Sequence, residues 1–343
     1  MKKVDYIIVG DGFGALFFAH QLVKNNKTFV LFSDGEKGAS KISAGIVNPV
    51  VLKKFTTFDN ALEHINVLKN ILSEISGYLG KSALVEEPVR RIFHDDKEKA
   101  TWTKKSQDEK LIPFLVPEFE KLEQVNNPFE TGSVQNSFRV DVPEFFKSMF
   151  EYLSSNENIR FEKFDYSLLE SDSSTYQDLQ FDKIVFAEGL GIKNNPFFSE
   201  LPILPNKGHH LNVSFNDYDL KQTVKKKFFL FPLNETEFYY GGTYDRENLE
   251  NKIDESSVEK LEIGLKEMVN SNYKIISIEY AFRPTVKDRK PILGRHKTIS
   301  NFYVFNGLGT RGLLNGSNYS INLYHYIENN TPLPQEVDLE RFI

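Results

Sequence analysis

No cysteine occurs anywhere in the sequence. That absence excludes disulfides, thiolate metal sites, cysteine nucleophiles and cofactors tethered through a thioether. Tryptophan is almost missing, with one residue, whereas phenylalanine numbers 30. Many apolar positions are therefore filled by rings that need no hydrogen-bond partner. No hydrophobic run approaches the length of a membrane span, and there is no internal repeat, low-complexity tract or Pro/Gly-rich linker. A strong charge of either sign is also lacking. The net charge of −6 leaves no basic footprint for non-specific nucleic-acid binding, although Lys225, Lys226 and Lys227 form one local basic run. The start, MKKVDYIIVGDG, carries two lysines, but its apolar run is short and interrupted by Asp5. It fails as a signal peptide, so a soluble, cytoplasmic protein with no membrane partner is expected.

What is present is 343 residues with 40% hydrophobic content, enough for a sizeable core shared between two sub-domains. Val4 to Val9 is a short buried run ending in glycine. The next segment puts Leu16, Ala19, Leu22 and Val23 on one helical face, and residues 28–32 are a second buried run. Strand, glycine turn, helix and strand within about thirty residues make a βαβ unit. Residues 58–79 repeat Leu62, Ile65, Leu72, Ile75 and Leu79 at helical spacing. Residues 94–110 are charged and irregular, expected as a solvated loop or helix face. Asp141 and Pro143 open a further helix. IRFEKF and KIVFAEG read as strands, residues 206–245 as a strand-rich region and 255–270 as a helix. NFYVFNGLGTRG is a final strand and turn, before a last helix that Gly316 weakens.

The turn at IIVGDGFGAL brings Gly10, Gly12 and Gly14 together ahead of Ala15. The first glycine permits a tight strand-to-helix turn, the second lets a pyrophosphate approach the backbone, and a small third position lets the helix pack on the strand. The helix start then offers free N–H groups and the positive end of its dipole to phosphates. A ligand-free glycine turn is the alternative; the flanking strand and helix favour a dinucleotide site. The acid that usually ends the second strand is only partly matched. Ser33 holds that position and Asp34 follows it, and Asp34-Gly35 is equally a favoured turn pair. GASKISAGIVNPV, residues 38–50, is small and hydroxyl-bearing, suited either to running beside a cofactor or to close packing.

Four stretches, in order and spread over nearly the whole chain, carry a resemblance: VDYIIVGDGFGALFFAHQL, GASKISAGIVNPV, KIVFAEGLGI, and FRPTVKDRKPILGRH followed by YVFNGLGTRGL. Through them the chain resembles the D-amino-acid-oxidase-like FAD-dependent oxidoreductases, glycine oxidases and the oxidase of carboxymethylaminomethyl-uridine in tRNA among them. The resemblance implies an α/β fold with a Rossmann-type, discontinuous FAD-binding domain over residues 1–50, 139–204 and 281–343. A smaller antiparallel, β-rich α+β substrate domain would take residues 51–138 and 205–280. FAD, held without a covalent bond, is the implied cofactor, and no metal is implied.

Residue by residue, the resemblance implies that Gly10, Gly12, Gly14 and Ala15 meet the pyrophosphate and that Ser33 or Asp34 meets the adenosine ribose. Ser40, Ser43, Ala44, Gly45 and Ile46 would line the path to the flavin. Phe164 would flank the adenine by its backbone, and Ala187 and Gly189 would lie near the cofactor. Gly307 through Leu314, with Gly309, Thr310, Gly312 and Leu313, would wrap the flavin ring, where backbone N–H groups stabilise the charge of its reduced form.

Arg283, in the Arg-Pro pair, would fork onto a substrate carboxylate, a task suited to two parallel N–H bonds; the alternative is a structural arginine paired with a buried acid. Arg311 either reaches the substrate or holds its loop. The implied reaction is oxidation of a C–N bond in an amino acid or N-substituted glycine, by hydride transfer to flavin N5, giving an imine that hydrolyses. The partner is then a small amino-acid substrate. The alternatives are oxidation of carboxymethylaminomethyl-uridine in tRNA, which the acidic balance disfavours, and flavin binding without turnover. Phe229 stands where glycine oxidases use a tyrosine for substrate, and Tyr239 near where sarcosine-type oxidases place a lysine. These departures leave the substrate, and oxygen as the acceptor, open. Tyr240 and Tyr244 supply hydroxyls nearby but read equally as core. Of the adjacent His209 and His210, one faces inward, with a satisfied structural histidine the plainer reading.

Overall fold

The computed structural model describes residues 1–342. It opens with β1 (Lys2–Val9), α1 (Phe13–Lys24) and β2 (Phe29–Phe32), the expected βαβ unit. Then come β3 (Ile46–Val47), α2 (Ala61–Leu79), β4 (Leu84–Val85), β5 (Val89–Ile92), α3 (Asp96–Lys105), β6 (Leu115–Glu120), β7 (Thr131–Val134), β8 (Phe138–Val140) and α4 (Val142–Ser155). The charged stretch at 94–110 contains α3 because Asp95 caps it, accepting the Glu98 N–H at 2.7 Å, and because Trp102 anchors it edge-on to Phe55 and Phe93. Asp141 caps α4 in the same way, through the Glu144 N–H at 3.0 Å.

The second half contains β9 (Ile159–Arg160), β10 (Leu179–Phe186), β11 (Leu204–Phe215), β12 (Thr223–Lys225), β13 (Phe229–Pro232) and β14 (Glu237–Gly241). After them come α5 (Glu255–Met268), β15 (Tyr273–Thr285), β16 (Ile292–Arg295), β17 (Phe302–Asn306) and α6 (Gly312–Asn329). Of IRFEKF only the first two residues form a strand, since β9 meets just Leu31 and Phe32 of β2 at the sheet edge.

Two large sheets carry the architecture. In the first, β9, β2, β1, β10 and β17 run parallel in that order, and β16 pairs antiparallel with β17. Parallel strands covered on both faces need nearly unbroken apolar sequence, which YIIV, FVLF, IVF and FYVF supply. Because these strands point one way, α1 after β1 and α6 after β17 both begin at the same edge. That edge is where α/β sheets take ligands.

The second sheet has the order β15–β11–β14–β13–β12–β5–β7–β6 and is antiparallel except where β12 meets β5. Its β11–β15 pair runs from Leu204 opposite Thr285 to Phe215 opposite Tyr273. The divisions at 204/205 and 280/281 thus fall inside paired strands. Helix α5 covers one face, burying Leu211, Leu230 and Tyr240 with its Leu261 and Leu265. Side chains alternate along a strand, so Asn206, Gly208, His210, Lys225, Phe229, Phe231, Tyr239 and Arg283 share the opposite face. Phe229 packs there against the core formed by α1, α2, α4 and α6. No helix among the described residues is long and apolar enough to cross a membrane.

Gly316 does not interrupt α6, which is continuous. A Cβ there would lie 2.8 Å from the Phe17 ring of α1, and one on Gly312 would lie 3.0 Å from Phe13. The glycine marks where two helices touch. Gly316→Val is expected to lower the unfolding free energy by about 2 kcal/mol or more through overpacking, read from urea denaturation. An unchanged midpoint would show that the helix contact is not tight.

Candidate active site

The glycine turn sits at the shared edge of the parallel strands. Gly10 has φ +111°, which side chains rarely adopt, and a Cβ would collide with the Ala187 carbonyl at the end of β10. Gly12 caps α1 with no side-chain bond of its own, and the Phe13 N–H is held by Ser40 Oγ at 3.2 Å. Gly14 packs toward Phe305 and Leu308, and Ala15 is fully buried. Beyond Ser40 the loop carries Ser43, whose Oγ is buried and without a partner among the described residues. Ala44 follows, then Gly45, pressed against the Val140 carbonyl, and Ile46, which enters β3 opposite Arg139.

Those features fit a dinucleotide pyrophosphate: a helix N-terminus, glycines with no side chain in the way, and an orphaned hydroxyl beside it. Asp11 of this turn and Lys41 of the following loop had no signal in the spacing. Asp11 lies between the glycines and accepts Lys41 Nζ at 2.6 Å and also the Ser33 hydroxyl. Ser33 therefore gives its proton to Asp11. Asp34 is exposed, and its Oδ1 accepts the Glu36 N–H at 3.0 Å, a turn contact.

Ala187 and Gly189 flank Glu188 at the end of β10. Glu188 accepts the Tyr166 hydroxyl and Asn195 Nδ2, the latter at 2.7 Å, yet burial raises its pKa to about 7. Phe164 is buried with its ring stacked on Tyr176 at 4.1 Å. The Gly307–Leu314 loop returns the chain to the same edge. Asn306 Nδ2 donates to the Gly189 carbonyl at 2.9 Å, Gly309, Thr310 and Arg311 form a single tight turn, and α6 starts at Gly312 with no side-chain cap. The side chains of Leu313 and Leu314 enter the core. The structure thus gathers the turn at 10–15, the loop at 40–46, residues 187–189 and the loop at 307–312. It places Phe164 in the core behind them.

Arg283 lies on the face of the second sheet turned away from α5, opposite Asn206. Its Nη1 donates to Asn206 Oδ1 and to the Thr243 carbonyl, each at 3.1 Å, and its guanidinium lies 4.6 Å from the Tyr244 ring centre. Among the described residues it has no acidic partner. The guanidinium crosses directly over Gly208, where any Cβ would occupy its space. Next in the row, His210 stacks on Tyr239 at 4.4 Å, and Tyr239 stacks on Phe231 at 4.8 Å. Arg139 closes the column 4.3 Å from the Phe231 ring. Burial, then the Arg283 charge, pushes the His210 pKa down to about 4, so its ring is neutral near pH 7.

His209 points to the other face, where its Nε2 accepts the Asp254 N–H at 3.1 Å. Tyr240 is core beneath α5, whereas Tyr244 is 67% exposed. Arg311 lies with its guanidinium 4.1 Å from the Phe58 ring; burial and then Arg289 lower its pKa, and the nearby Tyr244 raises it. Of the two arginines, Arg283 is the one that lies against the Tyr244 ring. Spacing alone had picked out neither Glu188 nor the His210–Tyr239–Phe231–Arg139 column.

The model of the family described as FAD dependent oxidoreductase matches residues 5–318. The glycine oxidase of Bacillus subtilis (strain 168) is 23% identical, covering 91% of this chain and 90% of its own. Among solved structures, glycine oxidase from Geobacillus kaustophilus superposes with a TM-score of 0.77 at 18% identity, over 100% of this chain and 98% of that one. Iminodiacetate oxidase from Chelativorans sp. BNC1 gives 0.73 at 17% identity, over 98% of each chain.

Gly10→Ala forces a left-handed conformation on alanine and drives a methyl into Ala187, at a strain of about 1–3 kcal/mol. The expected result is a fall of about ten-fold or more in affinity for FAD, read by fluorescence titration. Full affinity in that variant would place the dinucleotide elsewhere.

Proposed function

The chain belongs to the FAD-dependent oxidoreductase family, and from that premise we propose that it oxidises the carbon–nitrogen bond of an amino acid or an N-substituted glycine. The turn at Gly10–Ala15 with Ser40 would hold the FAD pyrophosphate, and the loops at 43–46 and 307–314 would hold the flavin. FAD, when bound, supplies the acceptor for the hydride that leaves the substrate carbon, and the imine left behind hydrolyses. Similarity to a glycine oxidase and an iminodiacetate oxidase supports an amine bearing a carboxylate as the substrate class.

The observation that carries the reading is Arg283. Its bonds go to neutral oxygens, so the full charge of the guanidinium is available to a carboxylate. Two parallel N–H bonds would fix the carboxylate plane and with it the direction of the adjacent C–H and amine. His210 beside it is neutral and rigidly stacked, so Arg283 acts as the fixed positive charge at this end of the site. Arg311 either adds a second cation at the Tyr244 side or holds the loop at the start of α6.

Anaerobic addition of glycine, sarcosine, D-alanine or proline to the FAD-loaded protein is expected to bleach the flavin with at least one of them. Arg283→Ala is expected to lower kcat/KM by about 100-fold or more, mainly through KM, because a charged partner of a part-buried carboxylate is lost. Equal bleaching by wild type and variant would remove Arg283 from the substrate. Failure of every amine would remove the proposed reaction.

A further inference from the structure

The face of the second sheet turned away from α5 carries another cation that this reaction does not use. Lys225 on β12 lies opposite Phe229 on β13, with its ammonium 4.0 Å from the centre of the Phe229 ring. Among the described residues that ammonium has one acceptor, the Lys227 carbonyl at 3.3 Å, and no carboxylate beside it. Burial, and then Arg91, pushes its pKa down to about 8. The cations around it are provided for: Arg91 Nε bonds Glu98 at 3.0 Å, and Arg139 lies 3.6 Å from Glu87. A part-buried ammonium is ordinarily paired with an anion, and among the described residues none lies beside this one.

The row through Lys225 leads to the proposed substrate arginine. Lys225, Phe229, Gly241 and His210 lie side by side on four neighbouring strands, and Gly208, under the Arg283 guanidinium, is the next residue of that face along β11. The ammonium lies over Phe229 and the guanidinium over Gly208, so two strand steps of about 4.8 Å and two residues of about 3.3 Å put the two cations about 12 Å apart. A carboxylate approaches each to about 3 Å. The remaining gap of about 6 Å matches two carboxylates separated by three atoms.

We infer that Lys225 binds a second carboxylate of the substrate, so that the site selects amino diacids over amino acids with one carboxylate. The inference rests on the amine-oxidising reading and on Arg283 taking the first carboxylate. Arg283 and Lys225 then grip the two ends, over a floor made by Phe229 and His210.

Iminodiacetate and sarcosine test it, since they differ by the second carboxylate alone. Their dissociation constants for the FAD-loaded protein are measured by calorimetry, and flavin reduction is followed anaerobically. The expected result is iminodiacetate binding about ten-fold or more tighter than sarcosine. That ratio collapses toward one in Lys225→Met and is largely kept in Lys225→Arg, with the fold of each checked by melting. Equal affinity of the two amines in wild type, or equal weakening of both in Lys225→Met, overturns the inference while leaving the oxidation of amines standing. A preference for tRNA bearing carboxymethylaminomethyl-uridine that is lost in Lys225→Met would also overturn it, by assigning the lysine to a phosphate. If neither amine binds or reduces the flavin in wild type, the amine-oxidising reading falls, and this inference with it.

Discussion

Helix α6 rests on α1 through two glycines, Gly312 against Phe13 and Gly316 against Phe17. That contact joins the two ends of the chain. It sets the turn after β1 beside the turn after β17, at the one edge where the parallel strands finish. Neither helix is capped by its own N-cap side chain, and Ser40 Oγ takes only the first N–H of α1, so backbone N–H groups and two positive dipole ends converge. Phosphates and developing negative charge are favoured in such a place. A larger residue at either glycine would push the helices apart and misalign both turns.

The second sheet contributes through parity. Helix α5 takes one face and fills it with apolar side chains, which leaves polar and aromatic groups on the other. On that face Arg283 bonds to an amide oxygen and a backbone carbonyl rather than to an acid. Had an aspartate stood at 206, its charge would have neutralised the arginine and held it. With Asn206 the guanidinium is positioned and still available. The stack of His210, Tyr239 and Phe231 stiffens the surface beside it, and neutrality of the buried histidine avoids repulsion with Arg283.

How much of this was legible depended on whether a residue's task is local. The Gly10 turn was legible because a backbone demand, φ of +111° against a neighbouring carbonyl, admits little but glycine. The α4 cap at Asp141 was legible for the same reason. The helix at Asp96–Lys105 was obscured by its charge, because a single buried tryptophan anchors it and no periodic stripe exists. Arg283 was found through resemblance to a family, since an Arg-Pro on a strand has no chemistry until the opposite strand is known. The roles of His210 and Lys225 depend on which face each occupies, and that is set by register across four strands. Asp11 shows the reverse case: a residue between two glycines with no evident task, it accepts the Ser33 hydroxyl and pairs with Lys41.

The proposed chemistry depends on one spatial relation: the Arg283 face of the second sheet must look onto a flavin held by the turns of the first. A crystal structure of the FAD-loaded protein with acetate, a carboxylate that carries no amine to oxidise, measures it directly. The account predicts the pyrophosphate at the start of α1 and the acetate carboxylate against the Arg283 guanidinium, facing the flavin ring. Acetate bound away from Arg283, or a flavin turned from that face, would contradict it.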